Sequence, residues 1–196
     1  MSPDSAQERQ GKALQSSIVG RKPPIYPERN RITTERGLDM SRVVIIMGSK
    51  SDLKWSEEIA AVLKKLGVES TLRIASAHKV PLKCHEIIKK SEGDNVVFIT
   101  VAGRSNALSG FTDAQTHCPV IACPPSSEKF GGADIWSSLR MPSAVAPMVV
   151  LEPENAALAA AKILGLQDKT IREKVKQYQA GSREAIEKDD LEAQKR

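Results

Sequence analysis

From Arg42 onward, short continuous apolar runs alternate with stretches of helical periodicity. Val43–Met47 (VVIIM) is unbroken, apolar and rich in β-branched residues, the pattern of a strand buried on both faces. Beyond GSKSD, apolar residues recur at Trp55, Ile59, Val62, Leu63 and Leu66, which is the stripe of an amphipathic helix. Gly67 then stands where such a helix would end. STLRIA reads as a second strand. Pro81 suits the first turn of a helix whose apolar residues are Leu82, Ile87 and Ile88. NVVFITVAG, PVIAC and APMVVLE give three further strands. PENAALAAAKILGL has proline and glutamate early, alanine through its middle and Gly165 near its end, and predicts a helix.

Strands alternating with helices imply βαβ units, a parallel sheet and right-handed crossovers. The expected fold is therefore α/β: a flavodoxin-like, doubly wound sheet of five strands in the order 2-1-3-4-5, between two helical layers. Residues 41–166 form the expected catalytic domain. Residues 1–40, with GRKPPIYPERNR, have little hydrophobic periodicity and bury too little to offset their ordering entropy. They are expected to lie outside the catalytic domain, as an extension or as an arm against a neighbouring subunit. Residues 167–196 predict a charged helical tail, more suited to packing on another subunit or to solvent than to completing the core.

Composition narrows the partners. The chain of 196 residues is 40% hydrophobic and 27% charged, ordinary for a globular domain. A net charge of +5 with 4% aromatics lacks the basic clusters and interleaved aromatics of a nucleic-acid surface. No apolar run approaches the ~20 residues of a membrane span, and the N-terminus shows no apolar signal core, so the expected location is cytoplasmic. Cys84, Cys118 and Cys123 lack the paired spacing of a zinc site, and an odd number argues against a disulfide framework. No metal is expected.

In doubly wound sheets ligands bind beyond the carboxyl ends of the strands. GSKSD, SAHKVP, AGRSNALSG and CPPSSEKFGG all fall there. Gly48 permits close backbone approach, Ser49 and Ser51 offer hydroxyls, and the following helix start offers free N–H groups and a positive dipole end, together a phosphate cradle. Asp52 suits either ribose hydroxyls or a helix cap; Ser51 could equally be a cap. His78 sits among small residues with an intrinsic pKa of about 6.5, fit for proton transfer, although an idle loop histidine has the same sequence appearance. Lys79 beside it favours the neutral imidazole and can attract an anion. His85 and His117 read as structural or exposed. The backbone of Ala102, Gly103, Arg104, Ser105 and Asn106 could meet polar ligand groups, with Arg104 either a substrate cation or part of a subunit salt bridge. Cys84 and Cys123 read as small hydrophobes rather than nucleophiles. The long segment PPSSEKFGGADIWSSLRMPS suits a lid or a subunit contact, with Trp136 and Met141 as packing anchors. A signalling receiver would need clustered acids after its first strand and an acceptor aspartate after its third. VVIIMGSKSD and FITVAGRSN provide neither, leaving a non-catalytic nucleotide-binding module as a remote alternative.

Taken together, GSKSD, SAHK.P, AGRSNALSG, PVIACPP, DIWSSLRMPS and NAALAAAKILGL resemble the phosphoribosylaminoimidazole carboxylase catalytic family of purine biosynthesis, in order and spacing, from about Val43 to Leu166. The resemblance implies a ribonucleotide substrate, with phosphate at Gly48, Ser49 and Ser51, and ribose at Asp52. It places the imidazole and carboxylate at Ser76, Ala77, Ala102 and Gly103. His78 would be the proton shuttle at carbon 4, with Lys79 pairing the phosphate or new carboxylate. It also implies no cofactor, carbon dioxide as co-substrate, a homo-octamer and possible association with other purine-pathway enzymes. Two kinds of enzyme share this pattern. One isomerises N5-carboxyaminoimidazole ribonucleotide and reads SAHRTP and AGGAAHLPG; the other carboxylates aminoimidazole ribonucleotide directly. Lys79 and AGRSNALSG favour the direct carboxylase.

Overall fold

The structure, a computed structural model, describes residues 42–125 and 131–195. The expected N-terminal extension, residues 1–40, lies outside them.

Five parallel strands form one sheet in the order β2-β1-β3-β4-β5. They are β1 (Arg42–Met47), β2 (Glu69–Ile74), β3 (Val96–Val101), β4 (Val120–Ala122) and β5 (Met148–Val149). β1 lies between β2 and β3, with Val43 opposite Ser70 on one side and Val97 on the other. All six residues of β3 are buried, as are the last five of β1. Alternate side chains feed two cores. Val43, Ile45, Met47, Val97, Ile99 and Val101 face α1 (Leu53–Lys65), α5 (Pro153–Leu164) and α6 (Lys169–Ala193). Val44, Ile46, Val96 and Phe98 face α2 (Pro81–Ser91) and α3 (Ala107–Gln115). A sheet covered on both faces explains why β1 reads as an unbroken apolar run from Val43, and β3 as one broken only by Thr100, rather than as alternating strands.

The edges differ. β2 is largely exposed, with Glu69, Thr71 and Arg73 outward, the polar guise of an edge strand. β5 is only two residues long. Two helical expectations are corrected. Leu82 does not face the core but is 85% exposed. The buried face of α2 is Cys84, Ile87 and Ile88, and Leu82 lies about 200° round the helix from Cys84. The charged tail is one helix, α6, capped by Asp168, whose carboxylate accepts from Thr170 and Ile171 N–H at 2.8 and 3.1 Å. Its opening turns do complete the core, because Ile171 and Val175 are buried against α5. Arg172 fastens the joint, donating through Nε to Gly165 O at 2.7 Å and through its terminal nitrogen to Leu166 O at 2.8 Å. Only the distal half, from Gly181, is uniformly exposed. No helix among the described residues is long and apolar enough to cross a membrane.

Candidate active site

Three strand ends meet beside β1. Gly48 N–H donates to Val101 O at 2.9 Å, and Ala75 N–H donates to Met47 O at 2.9 Å. The loops after β1, β2 and β3 therefore leave the sheet side by side. A Cβ added at Gly48 would stand 3.4 Å from Ala102 Cβ and 3.6 Å from Asp52 Oδ2, in the crevice between the loops after β1 and β3. The direction of winding reverses between β1 and β3, which is where such sheets take their ligands.

After Gly48, a 3-10 turn (Lys50–Asp52) leads into α1. Its first N–H groups are not consumed by the helix. Ser49 and Ser51 stand together, Oγ to Oγ 2.6 Å. Asp52 reaches back with Oδ2 to accept Ser49 N–H at 2.9 Å and Ser49 Oγ at 3.0 Å. The geometry thus gives Asp52 a capping contact within the turn, while the two hydroxyls and the helix start share one surface.

After β2, the chain turns at once. Ser76 O accepts Val80 N–H at 2.9 Å and Ser76 Oγ accepts Lys79 N–H at 3.3 Å. Ser76 and Ala77 are half-buried, and His78 and Lys79 are exposed on the turn. The imidazole of His78 has no hydrogen-bond partner among the described residues.

After β3, Ala102 and Gly103 are half-buried, and Arg104 and Ser105 are exposed. Arg104 takes a left-handed backbone, φ +59°. Asn106 is placed otherwise than expected for a ligand contact. It is 3% exposed and its amide is spent on structure. Oδ1 accepts Ser109 N–H at 3.3 Å, capping α3, and Nδ2 donates to Ser138 Oγ at 3.0 Å. The sequence pattern could not separate cap from ligand contact, because both uses favour asparagine at a helix start.

A cleft of about 570 Å³ continues from Ala102, Gly103 and Arg104 towards the ends of β4 and β5. Its walls include Pro124, Pro125, Asp134, Ile135, Leu151 and Glu152. Neither His78 nor Ser49 lines it, so the loop after β3 is the wall common to crevice and cleft. The sequence put Pro124 and Pro125 at a strand end within CPPSSEKFGG and assigned Asp134 and Ile135 to a lid or subunit contact, but it counted Leu151 and Glu152 within the fifth strand and so missed them as walls. A short helix α4 (Trp136–Leu139) follows Asp134. Trp136 is 65% exposed, so it is not a packing anchor within this chain. Met141 is one, with Sδ against Gly110 of α3, 2.9 Å from where a Cβ would stand.

The remaining titratable candidates are quiet. Cys84 and Cys123 are fully buried, and burial pushes each thiol up to about 11. Trp55 Nε1 donates to Cys123 Sγ at 3.4 Å. Neither thiol is a nucleophile at neutral pH. His85 and His117 are exposed, His117 Nδ1 lying 4.0 Å from Glu92.

The fold and the meeting of the three loops define a doubly wound α/β protein whose strand-end crevice lies at the β1/β3 switch point. The chain belongs to the AIR carboxylase family, whose model matches residues 42–185. It is similar to the phosphoribosylaminoimidazole carboxylase of Archaeoglobus fulgidus, 64% identical over 151 residues, 77% of this chain and 84% of that one. The crystal structure of Treponema denticola PurE matches with a TM-score of 0.75 at 49% identity, covering 76% of this chain and 96% of that one. The bifunctional phosphoribosylaminoimidazole carboxylase/succinocarboxamide synthetase of Mus musculus is 42% identical over 137 residues, 69% of this chain and 32% of that enzyme. The protein is an enzyme of purine biosynthesis.

Proposed function

We propose that this chain carboxylates aminoimidazole ribonucleotide directly with carbon dioxide, giving 4-carboxy-5-aminoimidazole ribonucleotide. The observation that carries the reading is that the loops bearing Gly48, His78 and Gly103 leave neighbouring strand ends side by side, stitched by the Gly48–Val101 and Ala75–Met47 hydrogen bonds. Ser49, Ser51 and the first-turn N–H groups hold the phosphate, and Asp52 holds the ribose hydroxyls. Ser76, Ala77 and the peptides of Ala102 and Gly103 line the imidazole, with Arg104 and Ser105 at the rim.

The chemistry follows from the substrate. Its ring is an enamine, so carbon 4 attacks carbon dioxide and forms the carbon–carbon bond as electrons move onto a carboxylate oxygen. Carbon 4 then carries both a hydrogen and the new carboxylate. His78 takes that proton, and the freed electron pair restores the aromatic ring; the balance is one proton released per carboxylation. His78 is exposed on a turn, as a base that must exchange its proton with water requires. Lys79 pairs with the carboxylate or the phosphate. No cofactor is used.

Supporting the carboxylase over the isomerase are Lys79 after His78 and AGRSNALSG in place of AGGAAHLPG. The Archaeoglobus fulgidus relative bears the carboxylase name, as does one half of the mouse bifunctional enzyme, which suggests work beside a succinocarboxamide synthetase. The same reading includes cytoplasmic location, a homo-octamer, residues 1–40 outside the catalytic domain and distal α6 covered by a neighbouring subunit.

The deciding assay supplies aminoimidazole ribonucleotide with bicarbonate and carbon dioxide in one arm and the N5-carboxy compound in the other, both without ATP. Product is expected in the first arm, undiminished by EDTA or avidin. Turnover of the N5-carboxy compound alone would overturn the reading in favour of the isomerase.

A further inference from the structure

Arg104 carries no chemistry that requires a left-handed backbone, yet it adopts one, φ +59°. For an L residue other than glycine this conformation is costly, and a long side chain without a local acceptor or donor contact does nothing to offset it. What holds it lies some thirty residues on. Arg104 N–H donates to Asp134 Oδ2 at 3.1 Å. Ser137 Oγ faces Arg104 O at 2.9 Å and Asp134 O at 2.8 Å, and accepts Asn106 N–H at 3.0 Å. Asn106 Nδ2 donates to Ser138 Oγ at 3.0 Å. Both polar groups of the strained residue are thus gripped by one segment, and a carboxylate acceptor makes the stronger kind of hydrogen bond.

We propose that Asp134 is a positioning residue: through the Arg104 peptide it fixes the direction in which Ala102 and Gly103 face the site. This rests on the proposed function, in which those two peptides line the imidazole and carboxylate position. Asp134 does not itself touch the reacting atoms. Asp134 lines the cleft together with Ala102 and Gly103, and His78 does not.

Three backgrounds separate backbone from side chain. Wild type keeps Arg104; R104A removes the guanidinium but retains the left-handed cost; R104G removes both, since glycine adopts this φ freely. D134A is introduced into each. In wild type and in R104A it is expected to raise KM for carbon dioxide about tenfold, with KM for the ribonucleotide changing less than twofold, because phosphate and ribose are held by the loop after β1. In R104G the same substitution is expected to change KM for carbon dioxide less than twofold. D134N, which keeps an oxygen for the Arg104 N–H, is expected to retain most of the wild-type value. A loss of correctly folded enzyme would leave both Michaelis constants in place, so the split distinguishes positioning from simple destabilisation. A D134A effect equal in all three backgrounds, or absent from all three, overturns the proposal. If wild-type protein turns over neither substrate, or only the N5-carboxy compound, the proposed function fails by itself. The brace is then decided by the same cycle in thermal unfolding midpoints: a D134A drop in wild type and R104A that vanishes in R104G supports it, and an equal drop refutes it.

Discussion

At Asp52, one carboxylate oxygen already accepts both Ser49 N–H and Ser49 Oγ. A cap and a ribose contact can be told apart by substitution. Asp52→Ala is expected to cost about 1 kcal/mol of stability, typical of a lost cap, and to raise the KM for the ribonucleotide. Asp52→Asn should keep most of the stability. Unfolding midpoints and Michaelis constants check the two effects separately, and an unchanged KM in both variants would leave Asp52 a cap only. His78→Asn has no cap to break. It is expected to lower kcat by roughly 10²–10⁴-fold, the usual contribution of one general base, while ribonucleotide binding by calorimetry stays near wild type. Turnover close to normal would remove His78 from the proton path. At this scale the sequence was legible where chemistry and position coincided. Ser49, Asp52 and His78 stand out because they follow apolar runs directly. Arg104 was legible only as a charge, since a backbone φ leaves no mark on the residue's identity when distant Asp134 and Ser137 sustain it. Asn106 misled because its amide suits a cap and a ligand equally.

β1 and β3 were plain as nearly continuous apolar runs because both faces are covered; Thr100 is the one polar residue among the buried positions of the two strands. β2 and β5 were found as strands, and the expected order 2-1-3-4-5 already put both at the edges of the sheet. Leu82 belongs to a helix correctly read, yet the true stripe was set by Cys84, a residue that periodicity counts less readily as apolar. For α6, the charge of the whole segment hid two core residues in its first turns. Ile171→Ala is expected to destabilise the protein by about 2–4 kcal/mol, the range for deleting a buried aliphatic chain. Ile186, 70% exposed in the single chain, is the contrast: Ile186→Ala should stay within about 0.5 kcal/mol if that surface faces water. Urea unfolding reads both. A concentration-dependent loss for Ile186→Ala would show instead that distal α6 is covered by another copy, as the proposed octamer requires.

Across the whole molecule, both helical layers bury a thiol, Cys84 on one face of the sheet and Cys123 on the other. Each has its pKa raised from 9.0 to about 11 by burial. Above pH 9 an unfolded chain releases these protons while the folded chain retains them. The stability they contribute is therefore full below about pH 9 and is lost as pH climbs through about 11, on the order of 2–3 kcal/mol per thiol. Tyr178, raised from 10.0 to about 12 chiefly by its hydrogen bond to Glu154, acts in the same direction. Urea midpoints between pH 8 and 11 should fall accordingly, and the Cys84→Ala, Cys123→Ala double variant should show a shallower fall. The order of strands was legible from alternation and right-handed crossovers once the five strands were taken as a flavodoxin-like doubly wound sheet. Assembly into an octamer was not; that expectation came only from resemblance.

The place of β1 between β2 and β3 also sets a timetable. Gly48 is synthesised before Val101, whose carbonyl receives its N–H. A nascent chain can form the first βαβ unit and still lack the wall that closes the crevice. The loop after β1 therefore waits for this contact until the ribosome has delivered another helix and strand, and a fragment ending before β3 carries the loop's sequence without the partner that anchors Gly48.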